Sequence, residues 1–173
     1  TVYDNKGNPV EQYEPFFSAT ANYEENSICG VTPKMTYDPL GRLIRTDQPN
    51  CTFSRVTFSP WYQESWDPND TVLESLWYQT RVDGSQGEIE KRAAEQTKVH
   101  ARTPTITHLD GLGRAFLTVE DNGSSAKIKT RTRLDIEGND LEIIDPRGIR
   151  AFAHRFDLAG RKLGIDSVDA GLK

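Results

Sequence analysis

The sequence predicts a mainly β fold: an antiparallel sheet of hairpins carrying a short helical insertion. Three observations predict it. First, one turn signature recurs five times, as VYDNKGNPV (Val2–Val10), TYDPLGRLI (Thr36–Ile44), THLDGLGRAF (Thr107–Phe116), RLDIEGNDL (Arg133–Leu141) and RFDLAGRKL (Arg155–Leu163). Aligned on Asp, the frame is apolar, Asp, two variable residues, Gly, then Arg or Asn. Second, the segments between these turns alternate polar and apolar residues, the period of a half-buried strand. Third, residues 60–101 lose both patterns and gain helix formers. The chain therefore reads as three segments: repeat strands 1–59, a Trp-rich helical insertion 60–101, and repeat strands 102–173.

Each repeat has a local physical logic. An Asp side chain bonds backbone N–H groups two residues on and so starts a turn. Pro39 presets φ for the next position, and Gly41 supplies the positive φ of the return. The residues on either side are β-formers. The turn positions are Asp4 and Gly7; Asp38, Gly41 and Arg42; Asp110, Gly113 and Arg114; Asp135 and Gly138; and Asp157, Gly160 and Arg161. The Arg after Gly is expected to pair with a repeat Asp and to serve structure. Repeat four is degenerate, with EGND in place of a Gly-Arg pair.

Residues 1–35 hold the first turn and a long connection, in which Tyr13, Phe16 and Phe17 are expected to cover an edge of the sheet. FSRVTFSPW continues the second repeat as a strand. In the insertion, WDPND is a turn. Thr71 followed by Glu74 reads as a capping box opening a helix through VLESLWYQTRV, and Ser85 followed by Glu88 reads as a second, opening EIEKRAAEQTKVHA. From Thr103 the repeats resume, with turn Asp residues 25 and then 22 positions apart. KIKTRTRLD sets Ile128, Thr130, Thr132 and Leu134 on one face and four basic residues on the other, as at a solvated surface.

Bulk properties narrow the function classes. The chain has 173 residues, enough for one domain. Its hydrophobic content of 35% lies below the usual ~45–50%, which predicts a thin sheet with much wet surface. With a net charge of −5 and no basic stripe, nucleic-acid binding is disfavoured. No apolar run reaches the ~18 residues of a membrane span. The sequence starts inside one repeat and stops just after another, which reads as a fragment of something longer. Such a slice has open sheet edges, so self-association through strand pairing is expected.

No catalytic, cofactor or metal set emerges. Glu88-Ile89-Glu90 matches the Glu-x-Glu pair of arginine ADP-ribosyltransferases, but the accompanying Arg strand and Ser-Thr-Ser strand are missing. Acids are also favoured in a first helical turn. His100, His108 and His154 lack metal partners at ligand spacing. Ser124-Ser125 has no nucleophile-elbow frame. Asp67, Asn69 and Asp70 offer oxygens without the rest of a calcium loop. Cys29 and Cys51 fit no zinc pattern. A disulfide between them stays open beside two unpaired, mostly buried thiols. Cys51 follows DQPN where later turns have Gly, so either this turn has another shape or Cys51 is strained. Trp61, Trp66 and Trp77 could stack a sugar or contact a partner, or pack helices onto the sheet.

The YDxxGR turns followed by D-x-P-x-G turns resemble the YD repeats of Rhs proteins. The blocks NPVEQYEPFFS, GVTPKMTYDPLGRLIRTDQPN, SPWYQESWDPNDTV and KRAAEQTKVHARTPTITHLDGLGRAF extend this to the B component of bacterial insecticidal toxin complexes. The resemblance covers nearly the whole chain. It implies hairpins winding into a hollow shell with the remaining repeats of the parent chain. B and C components together enclose a cytotoxic segment, a pore-forming A component is a further partner, and the location is secreted. Self-cleavage in that family belongs to the C component, so no catalytic residue carries over.

Overall fold

The computed structural model describes residues 1–22, 29–123 and 127–172. Ser124 and Ser125 lie outside them. The fold is mainly β. Strands β1 (Val2–Tyr3) and β2 (Pro9–Glu11) pair as a small sheet. The larger sheet has eleven antiparallel strands. They are β3 (Lys34–Tyr37), β4 (Leu43–Asp47), β5 (Phe53–Phe58), β6 (Tyr62–Trp66), β7 (Thr105–Leu109), β8 (Ala115–Glu120), β9 (Ile128–Leu134), β10 (Asp140–Ile144), β11 (Arg150–Phe156), β12 (Lys162–Ser167) and β13 (Gly171–Leu172). Their spatial order is their chain order, a meander with no crossover. Short turns join most of the neighbouring strands, whereas β6 and β7 pair across the helical insertion that separates them in sequence.

Two compact units are formed: Thr1–Val56 with Trp66–Arg102, and Thr57–Ser65 with Thr103–Lys173. The helical insertion belongs with the first strands. It holds a 3-10 turn at Val72–Glu74, α1 (Leu76–Val82) and α2 (Glu88–Thr97), which runs into a 3-10 turn at Lys98–His100. Phe53, Val72 and Ala94 are buried, as are Thr71 and Ser75. Few apolar residues are buried, matching the apolar shortage. In the second unit Val119 is buried, and Thr107, Thr118 and Thr130 stand opposite one another across three strands. Paired β-branched residues suit a pleated, half-wet face. On β9 the alternation is as the sequence predicts, with Lys129, Arg131 and Arg133 exposed.

The helix starts differ from the expected capping boxes. Thr71 caps nothing; its buried hydroxyl donates to the Phe53 carbonyl on β5. Ser75 caps α1 instead, accepting from the Tyr78 amide at 3.2 Å. At α2 the cap position is Gly87, and the Ser85 hydroxyl donates to the Thr80 carbonyl at 3.3 Å. A tertiary acceptor captured the first hydroxyl and the preceding helix end captured the second. Of the three aromatics expected over a sheet edge, Phe16 and Phe17 stand exposed and Tyr13 is half-buried.

Candidate functional site

The feature the repeats build is a set of turns, and their geometry comes from five consecutive residues. At Asp38, the amide donates to the Arg42 carbonyl (2.9 Å) and the Gly41 amide donates back to the Asp38 carbonyl (2.9 Å). This is a type I turn closed by a glycine in the left-handed region, Gly41 at φ +79°. Strand register shifts beside it, between Thr36 and Tyr37, as a bulge requires. The Asp38 carboxylate finishes the turn: Oδ1 accepts the Leu40 and Arg42 amides, both at 2.9 Å, and Oδ2 accepts Arg42 Nε at 2.7 Å.

Asp110 with Arg114 and Asp157 with Arg161 repeat these bonds at the same 2.7 Å guanidinium distance. Where Arg is absent, Asn does its work. Asn8 Nδ2 donates to Asp4 Oδ2 at 2.9 Å, and Asn139 Nδ2 donates to Asp135 Oδ2 at 2.8 Å. The degenerate repeat is thus chemically complete. The backbone and side-chain donors of Arg42, Arg114 and Arg161 hold Asp38, Asp110 and Asp157 below the ordinary carboxylate pKa, against opposing desolvation. The Asn8 and Asn139 amides do the same for Asp4 and Asp135.

Two further turns share the backbone pattern, for seven among the described residues. At Asp145 the reaching residue comes early: Arg147 Nε donates to Oδ2 at 2.7 Å. The other is Gln48–Thr52, with Cys51 in the glycine position at φ +67°. The turn therefore keeps its shape and the cysteine carries the strain. Cys51 is exposed and half-buried Cys29 is also a free thiol, so the description of both as buried fails for Cys51.

The turns also stack, which the sequence reading missed. A Cβ built on Gly41 would lie 3.7 Å from Asn8 Oδ1, one on Gly138 would lie 3.3 Å from Arg114 Cδ, and one on Gly160 would lie 3.8 Å from Asn139 Oδ1. In each pair, the residue after glycine in one turn rests on the glycine of a later Asp-x-x-Gly turn; Asn139 passes over the Asp145 turn to reach Gly160. Carbonyls of the receiving turn accept cations. Lys6 Nζ donates to the Pro39 carbonyl at 2.7 Å, and Arg114 Nη1 to the Asp135 (3.2 Å) and Ile136 (3.0 Å) carbonyls. The signal was in the sequence, as a recurring Arg or Asn after Gly, but its second contact depends on which strands are neighbours.

The three tryptophans occupy separate surroundings. Arg55 lies over the Trp66 ring at 4.4 Å while its Nη1 bonds Glu74 at 2.8 Å. Arg81 lies over the Trp77 ring at 4.7 Å while its Nε bonds Glu90 at 2.8 Å, tying α1 to α2. Trp61 is 63% exposed. Glu90 is thus engaged in an ion pair, and Glu88 opens α2. Asp67 and Asp70 organise the turn before the 3-10 segment: Asp67 Oδ1 accepts the Asn69 (2.6 Å) and Asp70 (2.9 Å) amides, and Asp70 Oδ2 accepts the Asp67 amide at 2.8 Å. His154 stacks on Phe152 and meets the edge of Phe156, His108 lies near Phe116, and His100 ends the 3-10 turn after α2. Among the described residues no group of three His, Cys, Asp or Glu could hold a metal ion. No helix among them is long and apolar enough to cross a membrane.

Neither a protein-family model nor a curated protein matches the sequence. Solved structures do. The Photorhabdus luminescens Tc holotoxin pore matches 99% of this chain with 29% identity and a TM-score of 0.77. The TcdB2–TccC3 complex matches 99% with 29% identity and a TM-score of 0.75. The same complex with Cdc42 matches 99% at 27% identity and a TM-score of 0.75. The chain spans about 8% of the length of each of these matched chains. Turn signature, meander and structural likeness converge on one description: an Rhs/YD-repeat protein resembling the B component of the Tc toxin complexes.

Proposed function

We propose that this chain is a non-catalytic wall segment of a secreted toxin-complex B-type component, whose YD-repeat shell encloses a cytotoxic polypeptide. The observation that carries the reading is the likeness over 99% of the chain to TcdB2–TccC3 assemblies. The wall itself is the stacked hairpin sheet, in which the repeat carboxylates are spent on turn amides and neighbouring guanidinium or amide groups. Acids used this way are structural. A C-type companion and a pore-forming A-type component are the partners the reading implies, because the matched structures are a TcdB2–TccC3 complex and a Tc holotoxin pore.

The test uses the full-length parent co-expressed with a C-type companion. The companion's terminal segment should survive added protease until the assembly is opened. Digestion at the rate of the free polypeptide would sink the proposal. The alternative, a glycan- or protein-binding module built on the tryptophans, has weaker support, since Trp66 and Trp77 each already carry a guanidinium. Glycan binding lost on Trp61→Ala and Trp66→Ala would favour that alternative.

A further inference from the structure

Four basic residues alternate along the β9 segment, and they are not used alike. The outer two have acids: Lys127 lies 3.6 Å from Asp121, and Arg133 lies 3.6 Å from Glu142. The inner two, Lys129 and Arg131, form no side-chain hydrogen bond or ion pair among the described residues. Both line an open cavity of about 190 Å³, together with Leu117, Ile144, Pro146 and Asp145. Leu117, Arg131 and Ile144 stand opposite one another across β8, β9 and β10, so they share one face of the sheet. Asp145 does not balance the two cations. Its Oδ1 accepts the Arg147 and Ile149 amides, both at 2.9 Å, and its Oδ2 accepts Arg147 Nε at 2.7 Å and Nη2 at 2.6 Å. Those donors fill the roughly four lone-pair positions of a carboxylate. In a chain of net charge −5, two unbalanced cations thus stand beside an apolar wall.

We propose that this cavity is a docking site for an acidic polypeptide segment in extended form. One carboxylate of the segment sits between Arg131 and Lys129. Arg131 grips it with two parallel N–H donors, and Lys129 adds a point charge. An apolar side chain two residues further on lies on the same side of an extended chain, about 6.7 Å along. It packs against Leu117, Ile144 and Pro146. The occupant is therefore of the form Glu-x-Leu. Charge complementarity calls for the acid, and the apolar wall calls for the second side chain. A free inorganic anion would use the cations and leave that wall wet. The contact is small and exposed, so binding is weak and sensitive to salt.

Fluorescence anisotropy of a labelled Gly-Ser-Glu-Ser-Leu-Ser-Gly peptide, titrated with the intact chain at low ionic strength, tests this. Binding should saturate and should weaken as sodium chloride is added. Arg131→Gln should weaken it about tenfold, and Lys129→Gln roughly threefold. Arg155, exposed on β11 and outside the cavity, is the control, and Arg155→Gln should leave binding unchanged. Replacing the peptide's Glu by Gln should abolish binding, and replacing its Leu by Ser should weaken it. Lys129, Arg131 and Arg155 are all exposed, so the variants should keep the wild-type circular dichroism melt. Absence of saturable binding overturns the proposal. Equal losses in Arg131→Gln and Arg155→Gln would replace it with general attraction to a charged face. Displacement of the peptide by inorganic phosphate, beyond that by chloride at equal ionic strength, would replace it with a phosphate site. The wall proposal is read from protease protection in the full-length parent, a measurement this binding does not enter, so either can fail alone.

Discussion

Arg114 lies so close to Gly138 that a Cβ added there would sit 3.3 Å from its Cδ. One guanidinium therefore closes its own turn and roofs the next. Gly138, at φ +98°, is required twice over, for backbone conformation and for space. Gly148, at φ +82°, has nothing within 4 Å and is required once. Urea denaturation should show Gly148→Ala costing about 1 kcal/mol, the usual penalty of a left-handed L-residue. Gly138→Ala should cost more, by roughly 1 kcal/mol, through displacement of Arg114. Equal losses would remove the stacking contact from the account.

Cys51 offers the reverse experiment. It holds φ +67° in a turn whose relatives use glycine. Cys51→Gly should raise stability by roughly 0.5–1 kcal/mol, the relieved strain exceeding the added freedom of the unfolded chain. A loss of stability on the same denaturation curve would mean that the thiol contributes more than the turn costs.

The repeat carboxylates predict an acid-sensitive fold. Asp38, Asp110 and Asp157 are all held below their ordinary value of 3.8. A lowered folded-state pKa contributes stability that is present above the unfolded value and is lost as pH falls through the folded one. Stability should therefore hold from neutrality to about pH 5 and decline below about pH 4. The double variant Asp110→Asn, Asp157→Asn should start less stable at pH 7 and decline less on acidification. An unchanged acid slope would show that these turns are not what titrates.

Thr71 is the buried joint of the insertion. Its hydroxyl donates to the Phe53 carbonyl, and it has no exposed surface. Thr71→Val keeps the shape and orphans that carbonyl, so thermal denaturation should show a loss of about 1–3 kcal/mol. Glu74→Gln, which affects only the exposed pair with Arg55, should cost well under 1 kcal/mol. A neutral Thr71→Val would mean that Phe53 finds another donor.

These contrasts explain how far the sequence could be read. Asp-x-x-Gly is legible because each of its bonds closes within five residues, and local chemistry decides it. The hairpins were legible for the same reason, but the strand order was not, because β6 and β7 pair across the long helical insertion. Thr71 and Ser85 were misassigned because their hydroxyls serve a strand and a preceding helix, information absent from an S/T-x-x-E pattern. The second task of Arg114 and Asn139 was hidden because it belongs to a pair of turns more than twenty residues apart.

The self-contained carboxylate has a consequence for how such a chain changes in length. A hairpin whose Asp is satisfied by its own amides and its own Arg or Asn leaves no polar debt to a distant residue. Duplicating or deleting one such unit alters how many rungs the ladder has without orphaning any carboxylate. Selection can then adjust the reach of the sheet in whole-hairpin steps, while the exposed side chains at the turn tips, such as Leu40 and Leu158, take no part in the bonds that close the turn.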